Sequence, residues 1–252
     1  MSQITTSHIA SFDGTSLAVH RMGSGRPVLL LHGLFSSAEM NWIRFGHAQA
    51  LADAGFAAIM PDHRAHGQSG APHDPAAYPA DVLVRDCLHL VEALELSDFD
   101  LVGFSLGART AAAAVIAGLA PRRLVLAGMG LESLDNWSRR SAFFIDAIDR
   151  MGEMKRGDRA FMAVSFMKTM KVDTVAARLL LQAGGEMDRA DLSRITMPTL
   201  VLCGEEDRDN GSPADLAAAL PNGRLQLIPG THMSSVTMPE LGAGLVAFLR
   251  QG

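Results

Sequence analysis

Cysteine is nearly absent from this chain of 252 residues: Cys87 and Cys203 are the only two, and they stand at neither metal-binding nor redox spacing. Their apolar surroundings predict two buried free thiols. Charge is also sparse, with 19% charged residues, a formal net charge of −5 and no dense Lys/Arg run. That pattern argues against nucleic acid or an anionic membrane surface as the main partner. No apolar run reaches membrane-spanning length, and the opening Met1-Ser2-Gln3-Ile4-Thr5-Thr6 lacks the charged lead and apolar core of a signal peptide. A cytoplasmic location is the resulting expectation. No internal repeat or low-complexity linker divides the chain. What is abundant is apolar side chain, 48% of residues, enough for one substantial domain with a large core and a small insertion.

Residues 4–12 and 17–21 flank Asp13-Gly14, a dipeptide suited to a tight turn, so the chain is expected to open with an antiparallel pair. The rhythm then changes. Short apolar runs at 27–31, 57–60, 99–104, 123–127, 199–203 and 225–228 have the character of strands buried on both faces. Helical stretches lie between them at 41–54, 79–95, 106–118, 213–220 and 239–250. This alternation predicts an α/β fold, a mostly parallel, doubly wound sheet with helices on both faces. The interval 131–195 interrupts it with helix-like segments only, at 141–151, 159–170 and 172–182. Residues 1–130 and 196–252 are therefore expected to form the core domain. The interval 131–195 is expected to form a helical lid above the carboxyl ends of the strands.

Within Leu101-Val102-Gly103-Phe104-Ser105-Leu106-Gly107, a serine stands between two glycines where a strand passes into an Ala-rich helix. A serine held at such a sharp turn crowds its neighbours, and glycines at 103 and 107 remove the side chains that would clash. The start of the following helix offers unpaired N–H groups to a developing negative charge. Ser105 is thus a candidate nucleophile, which needs a base and an orienting acid. Among nine histidines, His232 follows the last predicted strand and precedes the last helix, at the sheet edge shared with Ser105. The loop Gly204-Glu205-Glu206-Asp207-Arg208-Asp209 supplies the acid, with Asp207 preferred over its neighbours and Asp135 a lesser substitute. His32-Gly33-Leu34-Phe35 closes the strand at 27–31. There the amide of Leu34 is placed to converge with that of Leu106 as an oxyanion hole, with His32 fixing the loop by hydrogen bonds.

Ser105, Asp207 and His232 occur in the order nucleophile, acid, histidine. Together with His32-Gly33 they make the sequence resemble the α/β-hydrolase family from about residue 27 to 249. Asp62-His63-Arg64-Ala65-His66-Gly67-Gln68-Ser69 resembles the family's D-x-R-G-x-G-x-S turn, with Ala65 where glycine is frequent. His63 and His66, with His73 farther away, are read as part of a structural network and not as a metal site. The resemblance implies a serine hydrolase working through an acyl-enzyme and requires neither cofactor nor metal. Serine at the elbow counts against the dehalogenases and the many epoxide hydrolases of the family, which carry aspartate there.

The proposed lid contains Met151, Met154, Met162, Met167, Met170 and Met187 beside Phe143, Phe144, Phe161 and Phe166. Taken together they favour an apolar, adaptable pocket and a small or medium ester as the partner molecule. Phe35, Trp42, Phe143, Met162 and Phe166 are the candidate substrate contacts. Lys155, Arg156, Arg159, Lys168 and Lys171 read as a solvated face. Relatives that cleave lactones, thioesters or carbon–carbon bonds, or that form peracids, share the same three residues. A ligand sensor with vestigial chemistry is the reading from another class.

Overall fold

The computed structural model describes residues 3–251. Eight strands form one sheet: β1 (Thr5–Ala10), β2 (Ser16–Gly23), β3 (Arg26–Leu31), β4 (Phe56–Pro61), β5 (Asp100–Phe104), β6 (Leu124–Ala127), β7 (Thr199–Gly204) and β8 (Gly223–Ile228). Their spatial order is β1-β2-β4-β3-β5-β6-β7-β8. The pairs β1/β2 and β2/β4 are antiparallel, and every later pairing is parallel. The opening hairpin turns through Asp13-Gly14 as its composition suggested, with Gly14 at φ 84°.

Period-two alternation sends each central strand's side chains to both faces. Leu29, Leu31, Leu101, Leu124, Leu126 and Val201 pack under α2 (Val82–Ala93), α3 (Leu106–Ile116) and α7 (Pro213–Ala219). Val28, Leu30, Val102, Val125 and Leu202 pack under α1 (His47–Asp53) and α8 (Pro239–Leu249). Burial on both sides explains why these strands read as unbroken apolar runs. Cys87 and Cys203 are free and buried, and burial pushes both thiols up to about 12.

Two helical expectations shift. The stretch expected as one helix over 41–54 is a π-helical turn at Glu39–Ile43 followed by α1, because Gly46 at φ 83° ends one and begins the other. The helix expected from 79 begins at Val82, after Asp81 in the left-handed region. Between β6 and β7 the described residues contain three α-helices and no strand: α4 (Trp137–Asp149), α5 (Phe161–Thr169) and α6 (Thr174–Ala183). Val164, Met167, Ala177, Leu180 and Leu181 from these helices form a third apolar cluster with Phe35, Val82 and Leu106 of the sheet-bearing part. Among the described residues no helix is long and apolar enough to cross a membrane.

Candidate active site

Ser105 joins β5 to α3 at φ 53° and ψ −111°, a conformation costly for any residue with a Cβ. The strain is accommodated by bare backbone on either side. A Cβ on Gly103 would lie 2.2 Å from the carbonyl oxygen of Gly107, and one on Gly107 would lie 2.1 Å from that of Leu31. The Ser105 N–H donates to the Ala127 carbonyl at 2.8 Å, tying the turn to β6.

His232 stands in the loop between β8 and α8, with Nε2 3.1 Å from Ser105 Oγ. Its Nδ1 lies 2.8 Å from Asp207 Oδ2 in the loop after β7. A carboxylate at Nδ1 fixes the proton there, which leaves Nε2 free to accept from the serine hydroxyl. Asp207 is itself held: its Oδ1 accepts the Asp209 N–H at 3.0 Å, and its own N–H donates to the Gly204 carbonyl at 3.0 Å. Burial alone would raise the Asp207 carboxyl. The His232 hydrogen bond and charge, the Asp209 amide and Arg140 outweigh it and hold the group below the usual carboxylate range. Phe104 packs against the His232 ring, centroids 5.1 Å apart. Of the competing acids only Asp209 brings a carboxylate near His232, and none of them hydrogen-bonds to it. Asp135 pairs with Arg189, and Glu205, Glu206 and Asp209 are exposed.

On the opposite side of Ser105, the loop after β3 is held amide by amide. The Gly33 N–H donates to Asn41 Oδ1 at 3.0 Å, that of Phe35 to His66 Nε2 at 2.9 Å, and that of Ser36 to the Gly33 carbonyl at 3.2 Å. Among the described residues Leu34 N–H is the amide of this run that meets no acceptor, and Leu106 N–H opens α3, where no intrahelical acceptor exists. His32 Nδ1 donates to the Gly33 carbonyl at 2.8 Å and its Nε2 accepts the His63 N–H at 2.9 Å. Asp62 receives Ala38 N–H at 2.8 Å and Gln68 N–H at 2.7 Å, while Arg64 forms a two-bond fork with Asp86. The Asp62–Ser69 segment is thus the scaffold of the loop after β3.

A family model of the alpha/beta hydrolase fold matches residues 26–156, more than half of the chain. The chain belongs to the alpha/beta hydrolase fold family. A non-heme haloperoxidase of Rhodococcus erythropolis is 27% identical over 96% of this chain and 98% of its own length. An epoxide hydrolase of Caballeronia sordidicola is 40% identical over 96 residues, which are 38% of this chain and 28% of that protein. The structure of a hydrolase from Pseudomonas aeruginosa PA01 is similar at a TM-score of 0.77 and 26% identity, covering 98% of both chains.

In this alpha/beta hydrolase α4 runs beside Ser105, His232 and Asp207. Arg140 Nη1 donates to the Asp209 carbonyl at 3.0 Å, and Phe144, one turn on, meets Phe35 with ring centroids 5.4 Å apart. The helix therefore reaches from the acid loop to the loop after β3. Phe143 packs edge-on against Phe144, and Phe166 is half-buried beside the same cluster. Two of the expected substrate contacts are placed apart from these. Trp42 is fully buried among Val28, Leu30, Leu51 and Met60 on the α1/α8 face, and Met162 is 72% exposed. Met187 packs into the main core and not with the inserted helices.

Asn210 is a site residue that spacing did not single out. Its Nδ2 donates to the Gly128 carbonyl at 2.6 Å and lies 3.4 Å from His232 Nδ1. An asparagine three residues beyond an acid carries no sequence signature of such a contact. Ligating atoms of Asp207, Asp209 and His232 converge within 4.8 Å, but the shared proton of the Asp207–His232 hydrogen bond already occupies that geometry.

Proposed function

We propose that this protein is a serine hydrolase that cleaves small to medium, mainly apolar carboxylic esters through an acyl-enzyme, with the helices of 131–195 as its lid. The observation that carries the reading is the unbroken chain Ser105 Oγ, His232 Nε2, His232 Nδ1, Asp207 Oδ2 at 3.1 and 2.8 Å. In this reading Ser105 Oγ attacks the ester carbonyl as its proton passes to His232. The N–H groups of Leu34 and Leu106 receive the charge on the carbonyl oxygen. His232 then protonates the departing alcohol, the ester C–O bond breaks, and Asp207 stabilises the imidazolium meanwhile. A water then loses a proton to His232 and attacks the acyl carbon; the bond from that carbon to Ser105 Oγ breaks, the carboxylic acid leaves, and His232 returns the proton to Ser105 Oγ.

Fluorophosphonate labelling tests the assignment. Ser105 is expected to label rapidly, His232→Ala to abolish labelling, and Ser105→Ala to lower turnover of p-nitrophenyl esters by about 10⁶-fold. Ester turnover by Ser105→Ala near the wild-type rate would refute it, and no labelling together with saturable small-molecule binding would favour a sensor. The relative aligned over the whole chain, named a non-heme haloperoxidase, supports a second reading, peracid formation, with hydrogen peroxide in place of water at the acyl-enzyme. Peracid yield from acetate and peroxide, compared with ester turnover, separates the two.

A further inference from the structure

Arg140 joins the inserted helices to the loop that carries Asp207. Its Nη1 donates to the Asp209 carbonyl at 3.0 Å, and its guanidinium carbon lies 5.7 Å from the centroid of the Phe144 ring, one turn on. The helix that delivers it is fixed at its root. Glu186 accepts the Trp137 and Ser138 N–H groups at 2.7 and 2.8 Å, a cap for the first turn of α4 supplied from beyond α6. Arg109 Nη2 donates to the carbonyls of Leu134, before α4, and Gly185, after α6. Arg140 therefore enters the site from a set position, three residues past Trp137.

On the loop side the guanidinium meets crowded negative charge. Carboxylate oxygens of Asp207 and Asp209 and a ring nitrogen of His232 lie within 4.8 Å of one another, so two carboxylates share one end of the imidazole. Like charges this close oppose each other unless a cation answers them. The positive charge of Arg140 acts on Asp207, whereas Arg208 turns Nη1 back to the Glu205 and Asp207 carbonyls at 2.9 and 3.0 Å. The remaining titratable groups around Asp207 are His232, the Cys203 thiol, pushed up to about 12 and so neutral, and the exposed Glu205 and Glu206 of its own loop. The carbonyl that Arg140 holds belongs to the residue whose N–H donates to Asp207 Oδ1 at 3.0 Å. Asn210, the next residue, is tied to the Gly128 carbonyl at 2.6 Å. The loop that aims Asp207 at His232 is thus fastened to the core by Asn210 and to the inserted helices by Arg140. We propose that Arg140 is a positioning residue for the reaction of Ser105: it holds the acid loop from α4 and brings a cation to its two carboxylates, so that the seated helix completes the Asp207–His232 pair. The inference rests on the serine hydrolase reading for the reaction that it serves.

Arg140→Met removes the charge and the donor but keeps a stem beside Phe144, and Arg140→Lys keeps the charge. Arg139→Gln, at the exposed neighbour on α4, is the control. Arg140→Met is expected to lower kcat for p-nitrophenyl acetate by about tenfold, with KM changed by less than roughly twofold. Without the cation the coupled Asp207–His232 pair takes up a proton more readily. The acid limb of kcat/KM should therefore move up by about half a pH unit in Arg140→Met and stay in place in Arg140→Lys. A rise in KM at unchanged kcat, or a lower Tm with kcat and the acid limb unmoved, overturns the proposal. Long-range proton–nitrogen NMR of the histidine rings, with His232 assigned through His232→Ala, reads the same geometry without turnover. Nδ1 is expected to carry the proton in the wild type and in Arg139→Gln, and the two ring nitrogens to approach averaged shifts in Arg140→Met. An unaltered His232 signature in Arg140→Met overturns the positioning role even where esters are turned over. Failure of wild-type Ser105 to label overturns the hydrolase reading instead and leaves the His232 signature to decide the role of Arg140.

Discussion

His66 Nε2 accepts the backbone N–H of Phe35 at 2.9 Å, while its Nδ1 donates to the Arg64 carbonyl at 2.9 Å. The pair fixes both the tautomer of a buried imidazole and the direction of the amide next to Leu34. His66→Ala is expected to lower kcat by about 10²-fold with KM little changed, the scale of a displaced oxyanion donor. His66→Gln, whose amide oxygen can accept from Phe35, should recover part of the loss. Steady-state kinetics on one ester across the three proteins checks this, and a loss confined to KM would count against it.

The same histidines make the fold acid-sensitive. His32, His63 and His66 are buried, and desolvation leads the causes that hold each below the ordinary 6.5. An unfolded chain takes up these protons near 6.5 and the folded chain does not. Stability is therefore level above about pH 7 and falls as the pH drops below 6.5. Thermal unfolding at a series of pH values should show this decline, with a shallower slope in His66→Gln.

Gly103→Ala and Gly107→Ala each drive a methyl group against backbone that cannot step aside. Destabilisation of about 3 kcal/mol is expected for either, read as a fall in urea midpoint.

Asp207→Asn keeps the shape of the acid loop but lets His232 take the wrong tautomer. A fall in kcat of about 10⁴-fold is expected, with fluorophosphonate labelling slowed in parallel. Retention of activity in Asp207→Asn that is lost on adding Asp209→Asn would reassign the acid to Asp209.

Trp42→Phe discriminates a packing role from a pocket role. Its place among Val28, Leu30, Leu51 and Met60 predicts a lower Tm and an unchanged acyl-length preference across p-nitrophenyl esters.

The sheet was readable because its strands are buried on both faces, which leaves uninterrupted apolar runs such as Leu29-Leu30-Leu31 and Leu200-Val201-Leu202. Ser105, Asp207 and His232 were readable because each sits just past a strand end, where the topology gathers distant segments. What escaped notice depends on side-chain direction. Trp42 packs in the cluster under α1 and α8, apart from the one that holds Phe35, a distinction that the π-helical turn at Glu39–Ile43 decides and residue spacing does not record. Arg64 reaching Asp13 and Asp86, and Asn210 reaching the Gly128 carbonyl, join residues far apart in the chain, and no local pattern signals them. Arg109 reads as one polar residue in an alanine helix until the carbonyls it holds are in view.

Leu134 precedes α4 and Gly185 follows α6, so a single guanidinium clasps both roots of the inserted helices. Swapping this insert for that of another relative is then not a free exchange of modules. A graft that fails to present two carbonyls to Arg109 would arrive unfastened at its base, and chimeras should keep residues 134 and 185 with the recipient.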